Sequence, residues 1–360
     1  HEALEHFPQR RQILRREAID CSADFFRLGG HSLLATQVAS RIRDAFAIEF
    51  PVAQLFQHRT VQALASRIDN VVREQKGLQP LPAITPRNSN EPAPMSVAQE
   101  RMWLTHELAP ESKAYNIPVA LELNGPLDIE AIEQAIDALR TRHETLRTTY
   151  HLDGSRPLQV VQPWSKQPLE VIDLSHLGRD ALKEALRQAT DHGGRYFDLA
   201  RDAMLRSILF RLGDESHLLL LTAHHIAIDN WSLGLLSGEL TTAYNNIRAG
   251  RPAGIKPQAT TYSDYAQWQR NWLDTNAEPQ LAYWRKKLDG IEPIELPTDK
   301  PRPDIFGYQG KIYEQPFSEN LRDQLEQLGR REGYTLFMTL LAAYAVLLHR
   351  VTGQSDFTIA

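Results

Sequence analysis

Two stretches of this chain place reactive side chains in patterns that can do chemistry. One is His224-His225-Ile226-Ala227-Ile228-Asp229-Asn230-Trp231-Ser232, directly after the apolar run Leu218-Leu219-Leu220-Leu221. Loops at strand ends are where a rigid scaffold often presents catalytic groups. Adjacent histidines point in different directions and lack the i, i+4 spacing of a helical metal pair, so each is given its own role. A neutral imidazole there can accept a proton from a nucleophile, position it, or donate to a developing oxyanion. Asp229 follows three apolar residues, and a carboxylate buried in such a loop needs a cationic partner. The other stretch is Asp24-Phe25-Phe26-Arg27-Leu28-Gly29-Gly30-His31-Ser32-Leu33-Leu34-Ala35. Two glycines free the backbone for a sharp turn. Ser32 then stands at a helix start, where free N–H groups and the positive end of the dipole favour a phosphodiester. An isolated Gly-Gly-X-Ser is more simply an N-cap.

The elements that must hold these groups follow from periodicity. Gln12 to Glu17 reads as part of a first helix. From Ser32, the residues Leu34, Val38 and Ile42 share one helix face. Val61, Leu64, Ala65 and Ile68 share another, with Thr60 as N-cap. The stretch 72–94 contains Pro80, Pro82, Pro86, Pro92 and Pro94 and reads as a semi-rigid linker. Beyond it, strands are predicted over 119–123, 205–210 and 218–223. The four-leucine run is apolar on both faces and so is predicted to be central in its sheet. Asp128 is predicted to cap a helix whose buried face is Ile132, Ile136, Leu139, His143 and Leu146. A helix from about Trp231 ends at Gly250. Two more are predicted over 265–273 and 279–288. A last one runs over 335–351, with Phe337, Leu340, Leu341, Tyr344 and Leu348 buried.

The 360 residues, 42% hydrophobic and 24% charged, exclude a collagen, a coiled coil and wholesale disorder. A net charge of −5 argues against a general nucleic-acid binder. The single Cys21 can form neither an internal disulfide nor a cysteine zinc site, so a reducing, cytoplasmic setting is expected. No apolar run approaches the roughly 20 residues that span a bilayer. The first residues lack a signal-peptide pattern and an initiator Met, so the chain is expected to begin inside a longer polypeptide.

The Asp24–Ala35 string resembles the carrier-domain signature of nonribosomal peptide synthetases. The resemblance covers roughly residues 10–72, with Asp24, Leu28, Gly29, Gly30 and Leu33 matching. It implies that Ser32 bears a covalent 4′-phosphopantetheine whose thiol carries an aminoacyl or peptidyl thioester. His31 resembles carriers that feed an ordinary condensation domain. Pro8, inside the expected first helix, departs from the pattern.

The His224–Asp229 string resembles the condensation-domain core motif His-His-x-x-x-Asp-Gly. Companion motifs occur in the family's order: Ser96 to Trp103, Arg142 to Thr148, and Tyr262 to Trp268. The resemblance implies a small all-α four-helix bundle followed by an α/β (α+β), chloramphenicol-acetyltransferase-like domain of two lobes around a tunnel. The expected layout is a carrier over 1–74, a linker over 75–94, and a condensation domain over 95–360. Its N-terminal lobe spans about 95–260, and its second lobe starts at about 261 and continues past Ala360. His225 is the implied catalytic residue, acting as base or as positioning group on a downstream carrier's amine as it attacks the donor thioester. His224 takes a structural part, with its ring turned into the lobe. Asp229 is expected to pair with Arg147 or Arg101 and so fix the loop. Asn230 stands where the family usually has Gly, while Trp231 and Ser232 keep the pattern. His143, Glu144 and Arg142 are read as packing and salt bridges. Tyr115-Asn116-Ile117-Pro118 resembles the type that accepts an L-configured donor. The implied partners are an upstream adenylation domain, a downstream carrier and a phosphopantetheinyl transferase. The competing readings are a condensation-like module that only recruits partners, in which the histidines tend to be lost, and an epimerisation-type domain.

Overall fold

The computed structural model describes residues 22–26, 28–30, 32–46, 48–74, 82–87, 91–301, 313–332 and 334–359. They fall into two compact units, one drawn from 1–83, 294–297 and 314–355 and the other from 84–293, 298–313 and 356–360. Residues 314–355 fall in the first of these units.

In the first unit, α1 (Ser32–Phe46), α2 (Ala53–Gln57) and α3 (Val61–Glu74) surround one apolar core. Val38 and Ile42 of α1 meet Leu64 and Ile68 of α3 there, over the fully buried Phe25, Phe50 and Leu55. The predicted N-cap is formed: Thr60 Oγ1 accepts the Ala63 N–H at 3.1 Å. The Asp24 carboxylate accepts the Phe26 N–H at 2.8 Å and Asp24 bridges Thr60, which pins the loop before α1. The helix expected over 12–17 and Pro8 lie outside the described residues.

The second unit is built on a four-stranded sheet ordered β2 (Asn116–Asn124), β7 (Ser216–His224), β6 (Leu205–Arg211), β5 (Glu170–Asp173). β7 is central and antiparallel to both neighbours, while β5 joins β6 in parallel. The period of two divides the leucine run between the faces. Leu219 and Ala223 pack with α5 (Ile129–Arg142) and α7 (Asn230–Arg248) on one side. Leu218 and Leu220 pack with Ala181, Ala185 and Ala189 of α6 (Ala181–Gly193) on the other. Asp128 caps α5 as predicted, its carboxylate accepting the Ala131 N–H at 3.0 Å. A smaller sheet, β1 (Ala93–Pro94), β4 (Arg156–Val161), β3 (Thr148–Asp153), shares a third core with α4 (Val97–Leu108). That core joins Met95, Trp103, Tyr150, Phe197 and Ile226.

Two expectations change. The helices predicted over 265–273 and 279–288 are one helix, α8 (Tyr262–Leu288), with Pro279 inside it. Proline removes one backbone bond, and the carbonyl it leaves free, on exposed Thr275, is open to water. In α10 (Leu336–Thr352), which follows α9 (Glu319–Glu332), Leu348 is buried. Phe337 and Tyr344, however, are 69% and 47% exposed, and Leu341 is exposed too. Periodicity assigns these residues to a common face but does not specify what covers it.

Candidate active site

β7 ends at His224, and the chain turns through 225–229 into α7. The alternation that buries Leu218 and Leu220 also carries the His224 ring inward, where it is 3% exposed. It lies edge-on to Phe197 at 5.7 Å, Tyr115 at 5.9 Å and His106 at 6.4 Å. Its Nδ1 accepts the Ile226 N–H at 3.2 Å. Burial, followed by the neighbouring His106, His225 and Arg206, pushes its pKa down to about 3. A ring held neutral so far below physiological pH is no proton shuttle. What the ring does meet is the turn itself, through the Ile226 N–H.

His225 faces a different environment. It is half-buried, and its N–H donates to the Tyr115 carbonyl at 2.8 Å, continuing the β2–β7 ladder by one residue. The ring sits 6.3 Å from the Tyr115 ring at an interplanar angle of 85°. Its Nδ1 is buried without a hydrogen-bond partner among the described residues.

The arginine partner expected for Asp229 is not formed. Arg147 donates to the Gln162 carbonyl and lies 3.6 Å from Glu144, while Arg101 is exposed on α4. Asp229 is instead the N-cap of α7, accepting from the Ser232 N–H at 2.8 Å and the Ser232 hydroxyl at 2.6 Å. Burial works to raise its pKa, but these bonds outweigh it and hold the carboxyl below its ordinary value. A capping carboxylate is satisfied by N–H groups and the helix dipole, so no cation is required. Asn230 is the first helical residue and therefore needs no left-handed backbone, which explains why Gly is dispensable there. Trp231 is 37% exposed.

The companion motifs meet behind this loop. Ser96 caps α4 in a capping box with Gln99, whose side chain donates to the Tyr150 hydroxyl at 3.3 Å. Tyr150 donates in turn to the Ile226 carbonyl at 3.5 Å, and burial pushes its own pKa up. Tyr262 joins from α8, its hydroxyl 3.0 Å from Ser96 Oγ. His143 and Arg142 hold Glu239 of α7 at 2.6 and 3.1 Å, the bridging role expected of them. Tyr115, treated in the sequence only as a marker of donor type, is the residue that contacts both histidine rings.

In the first unit Ser32 opens α1, whose first turn has no acidic residue. Gly29 has φ +98°, and a Cβ on Gly30 would come within 2.4 Å of the Phe25 ring. Both glycines are thus required by the turn that delivers Ser32.

Comparison with known proteins adds the family. Residues 89–360 match the condensation domain, and residues 11–68 match the phosphopantetheine attachment site, a domain that carries covalently attached 4′-phosphopantetheine. A linear gramicidin synthase polypeptide of Brevibacillus parabrevis is 40% identical over 97% of the chain. Phosphinothricin tripeptide synthetase PhsC of Streptomyces viridochromogenes is 39% identical over 78%. The chain spans only 7% and 26% of these relatives. Among solved structures, the X-domain from teicoplanin biosynthesis aligns with TM-score 0.68 and 30% identity, covering 75% of this chain and 60% of that one. The first condensation domain of the calcium-dependent antibiotic synthetase, in complex with a substrate analogue, aligns with TM-score 0.59 and 25% identity, covering 73% and 61%. Among the described residues no helix is long and apolar enough to cross a membrane. The chain belongs to the condensation-domain family of nonribosomal peptide synthetases, with a phosphopantetheine carrier domain preceding it.

Proposed function

We propose that residues 1–74 are the carrier, 75–94 the linker and 95–360 the condensation domain, and that the pair forms a peptide bond. Ser32 is the attachment residue: the Gly29–Gly30 turn and a first helical turn free of carboxylates fit a phosphodiester. When bound, the 4′-phosphopantetheine supplies a flexible arm ending in a thiol on which an acyl group is held as a thioester. The condensation domain takes a donor thioester and an amine from a downstream carrier. The amine nitrogen attacks the thioester carbonyl, loses a proton and displaces the thiol.

His225 is the group that meets the amine. The observation that carries this reading is the division of labour at the end of β7, where one ring is buried and neutral and the next is half-buried on a pinned backbone. With Nδ1 buried and unpartnered among the described residues, Nε2 is the ring nitrogen left to meet the amine, as base or as positioning group. An upstream adenylation domain and a phosphopantetheinyl transferase complete the set of partners, in a cytoplasmic setting. The test is to load Ser32 and a downstream carrier with aminoacyl-pantetheine and read dipeptide by intact mass. His225→Ala is expected to lower its formation by about 100-fold or more. Undiminished transfer in that variant would leave a partner-recruiting module as the better description.

A further inference from the structure

Catalytic histidines are commonly oriented by a third group that hydrogen-bonds the ring nitrogen away from the substrate. His225 has no such group among the described residues, since its Nδ1 is buried and unpartnered. Asp229, the nearby carboxylate in sequence, is engaged by Ser232 as a helix cap. What does hold His225 is Tyr115, whose carbonyl fixes the backbone at 2.8 Å and whose ring stands at 85° to the imidazole. The same tyrosine packs on His224 at 5.9 Å, so its own ring is set by the buried member of the pair. Its hydroxyl makes no hydrogen bond to the described residues. Edge-to-face aromatic contacts of this kind favour one ring orientation by about twofold to tenfold beyond area burial.

We infer that Tyr115 is the positioning residue of the site, orienting the His225 imidazole by ring packing in place of a hydrogen-bonded carboxylate. The inference rests on the assignment of His225 above. The working contact is the aromatic ring, so Tyr115→Phe keeps the function and Tyr115→Leu loses it. The loss falls on kcat rather than on KM for the loaded carriers, because Tyr115 acts through the histidine.

A double-mutant cycle in the intact polypeptide, read as single-turnover dipeptide formation, tests this. Tyr115→Phe is expected to stay within about twofold of the parent. Tyr115→Leu is expected to fall by about tenfold or more, since small misplacements of a reacting group carry large rate penalties. In the His225→Ala background, Tyr115→Leu is expected to change nothing further. Equal losses in both backgrounds would show a structural effect and overturn the inference, as would an unaffected Tyr115→Leu. If His225→Ala is itself fully active, the assignment of His225 fails and this inference falls with it, whereas equal losses from Tyr115→Leu beside an inactive His225→Ala overturn this inference alone. Tyr115→Met, with a longer unbranched side chain, is measured alongside and read by the same criteria should the leucine variant not fold.

Discussion

Replacing His224 by Asn removes a proton-binding site that folding has already suppressed. The asparagine carbonyl can still accept the Ile226 N–H that His224 Nδ1 accepts at 3.2 Å, so the turn keeps its bond. The difference between the two proteins then lies in their response to acid. In the unfolded chain a histidine titrates near 6.5, whereas His224 in the fold titrates at about 3. Between those values the unfolded state binds the extra proton, so stability falls as pH falls. The contribution is complete above about pH 6.5 and is lost progressively toward pH 3. At roughly 1.4 kcal/mol per unit, the loss by pH 5 is about 2 kcal/mol, and the ceiling near pH 3 is about 5 kcal/mol. Urea unfolding of parent and His224→Asn at pH 7.5, 6 and 5 reads this directly. The parent is expected to lose about 2 kcal/mol more than the variant between pH 7.5 and 5. Parallel pH dependences for the two proteins would refute the claim that burial holds this ring neutral.

Two further outcomes follow from the geometry. Asp229→Asn is expected to change the unfolding midpoint little and Asp229→Ala to cost about 1 kcal/mol, because Asn caps a helix as Asp does and Ala does not. A loss of about 3–5 kcal/mol in the Asn variant would instead indicate the buried ion pair that the structure lacks. Gly30→Ala places a Cβ against the Phe25 ring and is expected to destabilise the carrier by about 1–3 kcal/mol. Its rate of Ser32 modification by a phosphopantetheinyl transferase, followed by intact mass, should fall with it, and an unchanged rate and stability would refute the packing argument.

Much of the scaffold was legible because local chemistry decides it. The β7 run reads as central since four consecutive leucines can be buried only by covering both faces, and the structure divides them that way. Asp128 and Thr60 were legible as caps for the same local reason. Asp229 was misread because its apolar neighbours suggested burial, while its true partner, Ser232, lies three residues along and satisfies it from the helix end. The α10 face was misread because an amphipathic period names residues that belong together and says nothing of their cover. The helices predicted over 265–273 and 279–288 run together because an exposed helix can tolerate the one bond missing at Pro279.

The reactive residues themselves were determined by the sequence alone: a serine after a glycine turn, a histidine pair after a buried strand, and the motifs that accompany them. Their environments were not. That His224 is neutral and His225 half-buried depends on the pleat of β7 and on aromatic rings drawn from α4 and from the segments before β2 and β6. Tyr115 and His225 are far apart in the chain, and only the pairing of β2 with β7 brings the two together. Local pattern is set by short-range sterics and hydrogen bonding, whereas pKa and ring orientation are set by whatever the fold packs around a group.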